Sequence, residues 1–137
     1  MDSGTRRITD TWLLDDNGTM RKGDFLIHGD GSFTESKGDE DVVEVVDGTM
    51  RLVTRSLQNW HTHMAMVLNK SMGEGLPLME WLETSIFPVE KGLSEEFVEK
   101  GTQAALAEMI ATGTTFVCDM YFHPEIVGKV VSDSGIR

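Results

Sequence analysis

Two of the chain's four histidines stand one residue apart, in the stretch Gln58-Asn59-Trp60-His61-Thr62-His63-Met64-Ala65-Met66. Imidazole is a good ligand for zinc and related divalent ions, and on a β-strand residues i and i+2 face the same side. His61 and His63 can therefore offer both rings to one ion, with Thr62 turned away and Leu57 and Asn59 sharing the histidine face. The same pattern also arises when one histidine packs and the other is solvated. Two ligands, moreover, are fewer than the three protein groups that a catalytic zinc site takes. Position favours the metal reading, because the pair sits where a strand gives way to a loop, the edge at which parallel α/β proteins place their chemistry.

Other residues could join such a site. His123 follows a second strand and could line the same mouth, although a turn histidine ahead of Pro124 is the favoured reading. Asp119, near the end of that strand, could hydrogen-bond a neighbour and is a weak ligand candidate. His28 lies beside a turn and is expected to face solvent. Met64, Met66, Met72 and Met79 could pad an apolar pocket, with adaptable core filling as their simpler role. Trp81 and Glu90 could grip a flat, hydroxylated ligand, or be a packed helix residue and a surface acid.

The elements that would position these groups are legible in outline. Residues 7–52 read as three or four short antiparallel strands, broken by turns at Asp16-Asn17-Gly18 and Gly29-Asp30-Gly31 and by the polar loop Thr34–Val42. The stretch 51–60 is one further strand candidate. Residues 76–87 suggest a short helix with Pro77 near its start. From Ser94 to Gly113 the signals agree: Ser94 as N-cap, Glu95 and Glu96 at the positive end of the helix dipole, and Gly113 as terminator. Between them Val98, Thr102, Ala105, Leu106, Met109 and Ile110 form an apolar stripe. Residues 114–122 predict a buried strand, and Pro124 opens a helix carrying Ile126, Val127, Val130 and Val131. The order after residue 52 is thus β-α-β-α, which implies parallel pairing. Two parallel strands cannot cover both their own faces, so the pattern suggests the opening of a larger α/β protein, ending as a third strand falls due.

Composition narrows the function classes. Twelve basic residues against 23 acidic ones give a net charge of −11, which disfavours nucleic acid and anionic membranes as partners. The excess is also compatible with a high-salt habitat. Cys118 is the only cysteine, so no internal disulfide can form and a reducing cytoplasm is the expected location. No stretch approaches the roughly 18 apolar residues of a membrane span, and the N-terminus lacks a signal-peptide core.

The blocks Asn59–Met66, Glu74–Glu90 and Gly113–Glu125, in that order, resemble the N-terminal third of the amidohydrolase superfamily. The resemblance points to the branch of 5-methylthioadenosine/S-adenosylhomocysteine deaminases, which is similar to the triazine and N-ethylammeline chlorohydrolases. It runs from about Ile8 to Arg137. It implies the start of a (β/α)8 (TIM) barrel over 52–137, preceded over 1–51 by strands of a small β-sandwich. It also implies that His61 and His63 ligate a divalent metal, zinc in the first place with iron or manganese as alternatives, and that Glu90 and Trp81 bind substrate as ribose-hydroxyl acceptor and pocket wall. This chain departs from the family at Arg55-Ser56, where relatives usually carry Pro-Gly.

On this resemblance the chain is the N-terminal part of an enzyme that hydrolytically deaminates a purine nucleoside-like molecule with metal-activated water. A triazine or similar heterocycle chlorohydrolase or aminohydrolase is the alternative, as is a truncated, non-catalytic barrel fragment that self-associates. The family's other metal ligands and its catalytic acid and base come from later strands, so no catalytic residue falls within this chain. Taken alone it is expected to be inactive, needing those strands from a longer or complementing polypeptide.

Overall fold

The hairpin expected around Asp16-Asn17-Gly18 forms because one carboxylate organises it. Asp15 accepts the backbone N–H groups of Asn17 and Thr19 through Oδ1, each at 2.9 Å, and Gly18 takes up a positive φ of 77° that costs a glycine little. A computed structural model describes residues 4–137. In it, β1 (Arg6–Leu14) and β2 (Met20–Ile27) pair antiparallel across this turn, and β3 (Phe33–Glu35) adds antiparallel to β2. A bulge at Asp10, at φ 51°, shifts the register between Ile8 and Thr11. Ile8, Leu13 and Phe25 make the small core of this unit.

The remaining strands of the unit correct the all-antiparallel expectation. Both β4 (Glu44–Asp47) and β5 (Leu52–Val53) lie parallel to β1. The loop after β3 carries the chain to the far edge of β1, so the next strand runs in the same direction as β1. Glu40 pins that loop: it accepts from Ser36 Oγ at 2.7 Å and from Arg7 Nη2 at 3.1 Å. The Lys37 amide and then the Ser36 hydroxyl hold its carboxyl down at about 2. The stretch 51–60 is two strands rather than one, because Leu52 and Val53 pair with β1 while Arg55 turns to ion-pair with Asp16. The chain divides into compact units at this point, between Arg55 and Ser56.

The second unit starts with β6 (Leu57–Thr62), which pairs parallel to β7 (Thr114–Asp119). Between them run a 3-10 segment (Met64–Asn69), α1 (Leu78–Trp81), a π turn (Leu82–Ile86), α2 (Phe87–Glu90) and α3 (Glu95–Ala111); α4 (Pro124–Ser134) follows β7. Ser94 caps α3 as expected, its Oγ accepting from Phe97 N at 3.1 Å. Val98, Ala105 and Leu106 of α3 pack with Met64, Ala65, Val127, Val130 and Ile136 in one core. Each well-buried Val, Leu, Ile or Met side chain there contributes about 1.5–3 kcal/mol. The free edge of β7 is engaged by the residue that follows Ile136: Arg137 donates to Thr115 O at 3.0 Å and accepts from Val117 N at 2.8 Å. That exchange is the rung of a parallel strand.

The strand expected over 114–122 stops at Asp119, and Met120–Phe122 leave the sheet towards α4. Gly101 explains how closely α3 sits on the segment after the histidines. A Cβ there would lie 2.5 Å from Ala65 O and 2.7 Å from Ala65 Cα, and backbone cannot yield as a flexible side chain can. Gly101→Ala is therefore expected to destabilise the protein by about 1–3 kcal/mol despite its better helix propensity. A fall in the urea midpoint at unchanged slope measures this; a raised midpoint contradicts it.

Candidate functional site

The loop ends of β6 and β7 are tied together around His63. Met120 N donates to Thr62 O at 3.0 Å, Met64 N donates to Asp119 Oδ1 at 2.7 Å, and His63 Nδ1 bonds Met120 O at 2.5 Å. A carbonyl oxygen can only accept, so Nδ1 of His63 carries the proton and Nε2 presents its lone pair. Backbone locking of one ring nitrogen is the arrangement that orients metal-binding histidines. Asp119 does hydrogen-bond a neighbour, as its position suggested. Burial raises its carboxyl pKa, opposed by the Met64 amide and by His63.

The rings of His61 and His63 lie edge to face with centroids 5.2 Å apart. Two imidazoles bound tetrahedrally to one zinc, with Zn–N about 2.0–2.1 Å, bring their centroids to about 5 Å, so the pair fits a shared ion. Among the described residues no group of three or more His, Cys, Asp or Glu side chains converges on one point. The strand alternation is broken by a register shift between Asn59 and Thr62. His61 is exposed, its backbone N–H held by Asn59 Oδ1 at 3.3 Å.

Trp81 and Glu90 meet His63 in one cavity of about 480 Å³, whose walls also include Met66, Tyr121 and Phe122. Trp81 and Glu90 are about two and a half turns of ideal α-helix apart, which would set them on opposite sides. The π turn between them winds more slowly and brings both to the cavity. Its cause is Pro88, which lacks an N–H and whose ring would strike the carbonyl four residues back in a regular helix. The sequence reading stopped the helix at Phe87; the widened turn lets it pass Pro88 and end at Glu90. Trp81 is fixed by Nε1 donating to Met72 O at 2.7 Å. Neighbouring Gly73 has φ 67°, and a Cβ there would come within 2.8 Å of Trp81 Cδ1.

Tyr121 is the polar cavity residue that sequence reasoning missed, beside the apolar Leu78, Leu82, Ile86, Met120 and Phe122. Its hydroxyl is buried without a hydrogen-bond partner among the described residues. Burial first, and the Glu90 carboxylate second, push its pKa up to about 12. It is the chain's one tyrosine, so phenolate absorbance reads it alone. Titration near 12, instead of the ordinary value of about 10, is expected, moving back towards 10 in Glu90→Gln. Because the folded state holds this proton longer than the unfolded chain, its contribution to stability is complete below about pH 10. That contribution is lost as pH rises through about 12.

The other candidates have structural roles. His123 caps α4 from a left-handed conformation, φ 53°, with Nδ1 3.6 Å from Glu125 Oε1, and does not line the cavity. His28 is half-buried rather than solvent-facing, its ring nitrogens 3.3 Å from Thr5 Oγ1 and 3.0 Å from Thr34 Oγ1. Met64 is core and Met66 lines the cavity, whereas Met72 and Met79 are exposed.

The sequence model of the amidohydrolase family matches residues 52–137. The chain belongs to that family. As an amidohydrolase chain it is 41% identical over 133 residues to the 5'-deoxyadenosine deaminase of Methanosphaera stadtmanae, covering 95% of this chain and 31% of that protein. It is 43% identical over 103 residues to the 5-methylthioadenosine/S-adenosylhomocysteine deaminase of Thermoanaerobacter pseudethanolicus, covering 75% and 24%. This amidohydrolase chain spans about a third of the length of the curated relatives it matches. Among solved structures it superposes on an adenosine deaminase from Xanthomonas campestris with bound zinc at a TM-score of 0.76 and 27% identity, over 96% of this chain and 32% of that one. It also superposes on atrazine chlorohydrolase from Arthrobacter aurescens TC1, complexed with zinc, at a TM-score of 0.82 and 18% identity, over 96% and 34%; that likeness is one of fold. No helix among the described residues is long and apolar enough to cross a membrane.

Proposed function

We propose that this chain is the N-terminal part of a metal-dependent amidohydrolase that hydrolytically deaminates an adenosine-type nucleoside of the 5'-deoxyadenosine or methylthioadenosine kind. Ser56–Arg137 form the first two β/α units of a (β/α)8 barrel, and the unit that ends at Arg55, with Leu52 and Val53 in its sheet, contributes strands of a small β-sandwich. The rung made by Arg137 on β7 supports a third parallel strand in the order β6, β7, next.

His61 and His63 would hold a divalent ion, zinc by analogy with the zinc-bound adenosine deaminase, with further ligands supplied from outside these residues. When bound, the ion supplies Lewis acidity that makes water nucleophilic at neutral pH. The chain's own residues bind and orient the substrate. Met120 O keeps the His63 proton on Nδ1, Trp81 gives the purine a flat apolar wall, and the Glu90 carboxylate accepts hydrogen bonds from sugar hydroxyls. The observation that carries this reading is the cavity that joins His63 to Trp81 and Glu90.

Ammonia release from 5'-deoxyadenosine and methylthioadenosine by the full-length, zinc-loaded protein tests the proposal. Turnover that disappears in His61→Ala supports it. No ammonia from either nucleoside, or equal release by the variant, overturns it.

A further inference from the structure

We propose that Tyr121 is a second reader of the substrate's vicinal diol, its side chain lining the same cavity as Glu90. The inference rests on the nucleoside reading above and extends it to a residue not yet given a role.

Three observations carry it. The phenol oxygen is buried with no hydrogen-bond partner among the described residues, a costly state that a ligand hydroxyl would relieve. The ring is packed, 5.2 Å centroid to centroid from Phe122 and 6.0 Å from His63, so the fold sets where the hydroxyl points. Glu90 lines the same cavity, and the two groups are chemically complementary. An ionised carboxylate only accepts, so Glu90 can take the protons of both diol hydroxyls but leaves their oxygen lone pairs unserved; a phenol supplies the missing donor. A sugar lacking one hydroxyl would leave the Tyr121 hydroxyl unsatisfied again, which is the source of strong discrimination in sites built around a hydrogen bond.

The test compares kcat/KM for 5'-deoxyadenosine and 2',5'-dideoxyadenosine in the full-length enzyme and in Tyr121→Phe. Phenylalanine keeps the packed ring and removes only the hydroxyl. The wild-type enzyme is expected to prefer the diol substrate by about tenfold or more, and the variant to lose most of that preference, chiefly through activity on the diol substrate. A variant that loses activity on both substrates in equal proportion, or that retains the wild-type preference, overturns the role of Tyr121 and leaves the nucleoside reading standing. Absence of turnover with either substrate in the wild-type enzyme overturns the nucleoside reading, and the role of Tyr121 with it.

Discussion

His63→Ala in the full-length protein is expected to lower zinc affinity by more than about 100-fold and to reduce nucleoside hydrolysis by about three orders of magnitude or more. Two properties make His63 the most consequential position. Its Nδ1 is committed to Met120 O, which leaves Nε2 as the ring nitrogen open to an ion. Its ring also lines the cavity that holds Trp81 and Glu90, which joins the proposed metal ligand to the proposed substrate pocket. The fold should tolerate the change, since the backbone bonds from Met120 N to Thr62 O and from Met64 N to Asp119 Oδ1 do not involve the imidazole. Zinc titration by calorimetry, beside a near-ultraviolet circular dichroism spectrum, separates lost ligation from lost structure. Unchanged zinc affinity in a folded variant would remove His63 from the metal site.

Glu90→Gln is expected to cost about 100-fold in kcat/KM for 5'-deoxyadenosine. Glutamine is nearly isosteric, so the π turn and the cavity should survive. It replaces one carboxylate oxygen by a donor and removes the charge. Hydrogen bonds to a charged acceptor contribute about 1.5–3 kcal/mol each, so weakening the contacts to two hydroxyls accounts for a loss of that order. Because the contacts lie on the sugar and not at the reacting carbon, most of the loss should appear in KM. Steady-state kinetics at saturating zinc decide this; a variant with wild-type KM would return Glu90 to the role of a surface acid.

The sequence carried more of this site than of the geometry behind it. The cap at Ser94 and the termination by Gly113 were legible because each is a local signal with a local cause, and the structure shows both. That His61 and His63 would stand close together where β6 ends was legible from their period-two spacing, and their ring centroids lie 5.2 Å apart. The parallel placement of β4 and β5 was not, since only the path of the loop after β3 decides on which edge of β1 the chain returns. Nor was the π turn: Pro88 reads as a helix stop, yet the chain widens one turn ahead of it and continues, and Glu90 reaches the cavity for that reason. Tyr121 was missed because 114–122 read as one continuous strand. Ending the strand at Asp119 would have set Tyr121 in the same strand-end position that drew attention to His63. The tight seat of Gly101 on Ala65 is a long-range contact that no local pattern announces.

A crystal structure of the full-length protein with zinc and 5'-deoxyadenosine tests the central claim most directly. The account predicts one ion bound by His61 and by Nε2 of His63, the purine against Trp81, and the sugar hydroxyls on Glu90. An ion that leaves both histidines unligated, or a nucleoside bound away from the cavity shared by His63, Trp81 and Glu90, would contradict it.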